Sequence, residues 1–400
     1  MIINSLCDTD FYKLTMLQAV LHQSPGTWVK YKFKWRNLDN MQLRIPMDDF
    51  AGRAKKEIDH LCTLRFEDEE LKFLETVPYF KRDFIEYLRL FQFNRSYIRC
   101  RRLVATEELE IVVEGPWANV ILFEVPVLAI VSQLYTENTL QNKATWLVEA
   151  RKRLSAKLSM LDTGLHKDEA FSFADFGTRR RADVEWHEEV LVYTKENYGR
   201  FLAGTSNVYL AMKHGLKLIG TMAHEYLQAY QQLGPRLYDF QKTALQKWAD
   251  EYRGDLGIAL SDVVGFRAFM KDFDKYFAKL FDGCRHDSGD PVWWCENLID
   301  HYKKLNIDPK TKHAVFSDGL TFEIAMDLFH RFNTKIKVGF GIGTYLTNDC
   351  GFVAPQVVMK MVECNGQPVA KIPDSAGKGM CEDPEFKGYL SKVIQDKITE

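Results

Sequence analysis

In the stretch GTMAHEYLQAY, Gly220 to Tyr230, a histidine and a glutamate stand side by side where a loop of small residues runs into a helical pattern. Metal binding is the first chemistry to test. A His-Glu pair followed by a second histidine four residues after the first would aim two imidazoles at one zinc ion. Gln228 occupies that second position, so a zincin pair is excluded and His224 needs another role.

Other chemistry-bearing clusters recur along the second half. RHDSGD, Arg285 to Asp290, packs a guanidinium, two carboxylates and a hydroxyl into six residues. Arg285 suits bidentate capture of a carboxylate or phosphate, and Asp287 suits sugar hydroxyls or magnesium. Asp290, just before Pro291, reads as a helix N-cap. FGTRRR places Arg179, Arg180 and Arg181 directly after an apolar run, where at least one is expected to point inward. GFGIGT sets Gly339, Gly341 and Gly343 at alternate positions, so backbone NH groups can approach a phosphate closely before a helix entrance. Thr344 stands where GxGxxG needs its third glycine, so this is not a dinucleotide fingerprint. No GxxxxGK[ST] loop exists, and any ATP is held in some other way. DSAGK, Asp374 to Lys378, has the composition of a phosphate loop without the flanking strand and helix, and is not expected to touch a substrate.

Taken singly, each cluster is explained by ordinary turn and cap residues. What argues for a site is that each follows a strand too apolar to have a wet face. Such strands are expected in AFSFADF, FLAG, LKLIG, LGIALS, DGCRH, HAVFS and IKVGFGI, between Ala170 and Ile342. About seven β/α units approach the eight of a barrel, whose strand carboxyl ends open on one face and build the active site there. The first third differs. In WVKYKFKWR, Val29, Tyr31, Phe33 and Trp35 alternate with basic residues, as in a strand with one wet face. Charge-rich helices are expected from Asp48 to Leu90 and a hairpin from Ile98 to Glu114. After Pro355 the short strands VVMKMVE and PVAKI resemble the first part more than the barrel.

Four hundred residues are enough for two domains, since single cores stop growing at about 250 to 300. A net charge of -2, from 53 basic and 55 acidic residues, provides no global field for nucleic acid or an anionic membrane. An anionic ligand must therefore meet a local site. The eight cysteines show no CxxC pair and read as thiols of a reducing cytosol. MIINSLCDTDFYK has no signal-peptide pattern, and the apolar run Val120 to Val131 contains Glu124 and Pro126, so it reads as core and not as a membrane span.

With these motifs in order, the chain resembles the bacterial type of nicotinate phosphoribosyltransferase over essentially its whole length. DTDFYKLTM, EGPW, DFGTRRR, GTSN, GTMAHE, GIALSD, RHDSGDP, FSDGL, FGIGT and KMVECNGQPVAKIPDSAGK carry the resemblance. It implies an α/β fold: an irregular TIM-like barrel at 146–350, and an open-faced α/β sandwich built from 1–145 and completed by 351–400. It also implies a cytoplasmic homodimer with the active site at the interface. The implied reaction joins nicotinate to phosphoribosyl pyrophosphate, giving nicotinate mononucleotide and pyrophosphate, with ATP hydrolysis coupled to it. Under that resemblance His224 accepts the γ-phosphoryl group of ATP. A near-neutral imidazole is a competent nucleophile, and a phosphate at a helix N-terminus is stabilised by free NH groups. Glu225, about 100° away around the helix, has no role fixed by the sequence.

The resemblance further implies that Tyr12 and Phe176 stack on the pyridine ring, with Arg179 and Arg285 close to its carboxylate and Thr221 in contact. Arg180, Asp287, Ser288, Ser317, Asp318, Gly341, Gly343 and Thr344 would serve the phosphoribosyl pyrophosphate end. Magnesium would arrive with the pyrophosphate and not in a protein-only cage. Nicotinamide-using relatives carry an aspartate after the Gly-Thr of AGT; here that position is Ser206, and the missing charge favours nicotinate. A nicotinamide-using transferase and a non-catalytic phosphate-ligand binder are the alternatives. The second leaves His224 without a job. No barrel strand ends in the lysine of an aldolase, and a glycosidase groove does not call for clustered arginines and GFGIGT.

Overall fold

The computed structural model describes residues 1–40, 43–139, 142–167, 169–375 and 379–400. Two sheets organise them. The first is antiparallel and is built from β1 (Trp28–Trp35), β2 (Ile98–Leu103), β3 (Glu108–Pro116), β10 (Val357–Cys364) and β11 (Gln367–Pro368), in the order β11-β10-β1-β3-β2. Val29, Tyr31, Phe33 and Trp35 are buried, as the alternation in β1 requires. The long crossing from the N-terminal to the C-terminal part is made by β10, which pairs with β1 through Tyr31 opposite Met361 and Trp35 opposite Val357. Helices Met47–Leu61, Asp68–Glu75 and Arg82–Leu90 precede the β2–β3 hairpin.

The second sheet is parallel: β4 (Phe173–Asp175), β5 (Leu202–Thr205), β6 (Ile258–Leu260), β7 (Gly283–His286), β8 (His313–Phe316) and β9 (Lys337–Ile342), in the order β5-β4-β9-β8-β7-β6. Six of the seven expected strands form. LKLIG does not: among the described residues its pairing is a single bridge from Leu218 to Thr205. The reason lies at its two ends. Gly204 has φ 151°, and a Cβ there would lie 2.1 Å from the Lys217 carbonyl oxygen, so only glycine admits this close approach of the two backbones. Thr221 then turns its hydroxyl to the Ile258 carbonyl, 2.9 Å away, before the helix begins.

Between the sheets runs the helix Glu124–Thr139, packed against β10 and against the turn Thr178–Arg180. By length and composition alone the span Trp117–Asn138 would cross a membrane, but 89% of its most apolar window is buried against the rest of the chain. It is a core helix, as Glu124 and Pro126 imply. All eight cysteines are unpaired, and seven are buried.

Candidate active site

Because the strands of the second sheet run parallel, their carboxyl ends share one edge, and the loops after them converge there. Each loop is fastened locally. Asp175, the last residue of β4, is fully buried; it accepts from Thr205 Oγ1 at 2.6 Å and from the Gly177 amide at 2.9 Å, and meets His187 Nε2 at 2.8 Å. Arg181 turns away from the strand end into a bidentate pair with Asp8. Asp290 accepts from the Trp293 amide and caps the helix Pro291–Lys304, as its place before Pro291 requires.

A cavity of about 460 Å³ opens at this edge and is roofed by residues of the antiparallel sheet. Tyr12, Phe176, Arg179, Arg180, Ser206, His224, Arg285, Asp287, Ser317, Asp318, Gly343 and Thr344 all line it. Tyr12 lines the cavity of its own chain. Four sequence candidates do not line it. Thr221 spends its hydroxyl on Ile258, while its neighbours Gly220 and Ala223 form the wall. Ser288 is buried and donates to Asp262 Oδ2 at 2.7 Å. Glu225 is buried and directed to Lys13 Nζ, 2.5 Å away. Gly341 lies behind Phe176, and a Cβ on it would stand 2.4 Å from the ring, so this glycine admits an aromatic side chain. Asp374 and Ser375 of DSAGK fasten neighbouring loops, through the Phe266 and Gly289 amides, and Ala376 to Lys378 lie outside the described residues. A second hollow, of about 560 Å³ beside β1 and Gly379 to Glu382, holds none of the chemistry-bearing clusters.

His224 is the first residue of the helix His224–Leu233. Its Nε2 lies 2.8 Å from Asp262 Oδ1, 2.6 Å from Lys371 Nζ and 3.5 Å from Asp287 Oδ2. Lys371 in turn pairs with Asp262 Oδ2 at 2.9 Å. With the ring proton on Nε2 it is donated to Asp262; with the proton on Nδ1, Lys371 donates to the bare Nε2. Burial, with the Lys371 ammonium, outweighs Asp262 and lowers the His224 pKa below its ordinary value. Burial alone would raise the Asp262 carboxyl, but His224 and Lys371 hold it well below the carboxylate range. Asp287 is lowered too: its burial is overcome by His224 and Arg285.

Several cations line the same cavity. Tyr12, then Glu124 and Asp10, raise Arg179 further. Burial, then Arg179 and Arg36, lower Arg180 to about 10. Burial, with Lys371 and Arg36, brings Lys360 down to about 7. Arg285 Nε is buried and has no protein partner among the described residues. Such a crowd of cations is built to receive a polyanion. Ser206 donates to Asp10 Oδ1 at 2.7 Å beside it.

Five charged residues at the site have no role assigned from the motifs: Asp10, Arg36, Asp262, Lys360 and Lys371. A signal existed for two. Asp262 ends an apolar strand as the other site residues do, and Lys360 interrupts the apolar run VVMKMVE. Arg36 continues the basic face of β1, which sequence alone reads as facing water.

The chain's N-terminal residues 7–132 match the model of the nicotinate phosphoribosyltransferase (NAPRTase) N-terminal domain, and residues 171–398 match the nicotinate phosphoribosyltransferase (NAPRTase) family. A nicotinate phosphoribosyltransferase of Ralstonia pickettii (strain 12J) is 51% identical over 396 residues, covering 98% of this chain and 99% of the relative. One from Bordetella pertussis is 51% identical over 396 residues, 99% of this chain and 96% of the relative. A crystal structure of nicotinate phosphoribosyltransferase from Vibrio cholerae superposes with a TM-score of 0.92 at 35% identity, covering 100% of this chain and 96% of that one. The corresponding enzyme from Porphyromonas gingivalis gives 0.90 at 32%, covering 98% and 100%. Fold, strand-end motifs and full-length similarity agree, and the chain belongs to the nicotinate phosphoribosyltransferase family of enzymes.

Proposed function

We propose that this cavity joins nicotinate to phosphoribosyl pyrophosphate, forming nicotinate mononucleotide and pyrophosphate, and couples the step to ATP through phosphorylation of His224. The observation that carries this is the division of the cavity. Tyr12 and Phe176 supply aromatic faces beside Arg179, a setting for a flat ring with a carboxylate. Asp287, Ser317, Asp318 and Thr344 supply hydroxyl and carboxylate partners for a ribose, with Arg180 and Lys360 for its phosphates. His224, held by Asp262 at a helix entrance, supplies the nucleophile.

As the bond to the ribose anomeric carbon breaks, positive charge develops there and the leaving pyrophosphate gains negative charge. The protein's work is to align both partners and to stabilise that charge with Arg180, Lys360 and Lys371. For phosphoryl transfer the imidazole must be neutral, and its lowered pKa provides for that.

His224, Asp262 and Asp287 bring three ligating atoms within 4.8 Å of one another. Lys371 contributes its own positive charge to the same cluster, so these residues alone suit a salt-bridge network better than a closed cation cage. Asp287 and Asp318 would hold magnesium carried in by pyrophosphate, which would supply positive charge against the phosphates. The bridge at Leu218 and the Thr221–Ile258 bond tie both edges of the parallel sheet to residues 216–221, which supports an irregular barrel. A cytosolic homodimer, as the resemblance implies, completes the proposal.

The test is incubation with γ-labelled ATP. Label is expected on wild-type protein as an acid-labile, base-stable adduct and not on His224→Asn, which should keep slow phosphoribosyl transfer without ATP stimulation. Full ATP stimulation in His224→Asn would reject the phosphohistidine.

A further inference from the structure

Three buried charged residues each sit one step away from a cavity group without entering the cavity. Lys13 follows Tyr12 in the helix Phe11–Gln23, Glu225 follows His224, and Glu124 reaches Arg179 Nη1 at 3.5 Å. The Lys13 ammonium is fully buried and is shared between the carboxylates of Glu124 and Glu225. Such a cluster is a poor choice for stability alone, since buried ion pairs seldom outdo apolar packing.

The sharing is unequal. Burial raises the Glu225 carboxyl, and Lys13 does not fully offset it. Glu124, with both Lys13 and Arg179 as partners, is lowered despite its burial. The Tyr31 hydroxyl also faces Glu225, and together with Lys13 it offsets the burial of that carboxyl only in part. Glu124 meanwhile holds a guanidinium that faces the cavity and would otherwise be free for a substrate carboxylate.

We infer that Lys13, Glu124 and Glu225 are positioning residues that relay charge added at His224 to Arg179. The relay rests on the phosphorylation proposed above. A phosphoryl group at His224 repels the neighbouring Glu225 carboxylate. Lys13, released from Glu225, then neutralises Glu124 more fully, and Arg179 loosens from Glu124 toward the carboxylate of the pyridine substrate. Tight binding of the acid is thereby tied to the phosphorylated state by differential interaction at one end of the chain of contacts.

Glu225→Gln tests this, with label from γ-labelled ATP and the nicotinate KM measured with and without ATP. A neutral glutamine leaves Lys13 on Glu124 at all times. The variant should take up label, its KM without ATP should fall at least about threefold, and the ATP effect on KM should shrink by the same factor. Damage to a merely structural fastening would raise KM instead. Glu124→Gln, which removes the competitor for Arg179, should also lower KM without ATP. A labelled Glu225→Gln with an unchanged or raised KM and a full ATP effect overturns the relay and leaves the phosphohistidine standing. Label lost from Glu225→Gln alone would place Glu225 in phosphoryl transfer and overturn its positioning role. No label on wild type removes both proposals. Failure of both variants to fold would make the cluster a structural fastening and overturn the relay as well.

Discussion

His224 and Asp262 are 2.8 Å apart, joining the first residue of a helix to the loop after β6. The carboxylate fixes the imidazole's orientation and one of its tautomers, much as a triad aspartate does. Asp262→Asn should therefore slow uptake of label from γ-labelled ATP by at least about tenfold. Quench-flow or filter-binding time courses measure this, and an unchanged rate would show that Asp262 does not orient the ring.

The lowered His224 pKa has a consequence for acid conditions. His286 and His313 are lowered by burial as well. The unfolded chain takes up these protons first, at about pH 6.5, so stability is fully present above that pH and falls as pH drops through it. Label uptake should persist to a lower pH than a free imidazole allows. Urea midpoints at pH values on either side of about 6.5 should show the loss, and His224→Asn should reduce it.

Gly341→Ala places a methyl group where the Phe176 ring now lies. The ring must move into the cavity, at a cost of about 1–3 kcal/mol in stability. Nicotinate KM should rise about tenfold while the phosphoribosyl pyrophosphate KM changes less. Equal change in both would mean that Phe176 serves the whole cavity and not the ring end.

Lys360, with its pKa brought down to about 7, is only partly charged in the free enzyme at neutral pH. Binding a polyanion favours its charged form, so binding should draw in a proton above that pH. The phosphoribosyl pyrophosphate KM should rise as pH increases from 7, and Lys360→Met should raise KM and flatten the profile. A profile unaltered by the substitution would exclude Lys360 from the anion end.

Local chemistry is legible from neighbours along the chain. Alternation set the buried face of β1, apolar runs ending in polar loops set six parallel strands, and Asp290 before Pro291 set a cap. These features depend on neighbours in the chain. LKLIG is the exception because a strand needs a partner along its length, and among the described residues it meets β5 at a single bridge, Leu218 to Thr205. Which side chains face one another across large separations is set by the folded chain alone. Asp262, Lys371 and His224 meet from three different segments, and no spacing rule announces that. Likewise Glu225, adjacent to His224 in sequence, turns out of the cavity to Lys13, because successive helix residues point in directions about 100° apart. Gly341 belongs with Phe176, from the loop after β4, since packing beyond the parallel pairing of Ala174 with Gly341 fixes what its missing side chain makes room for.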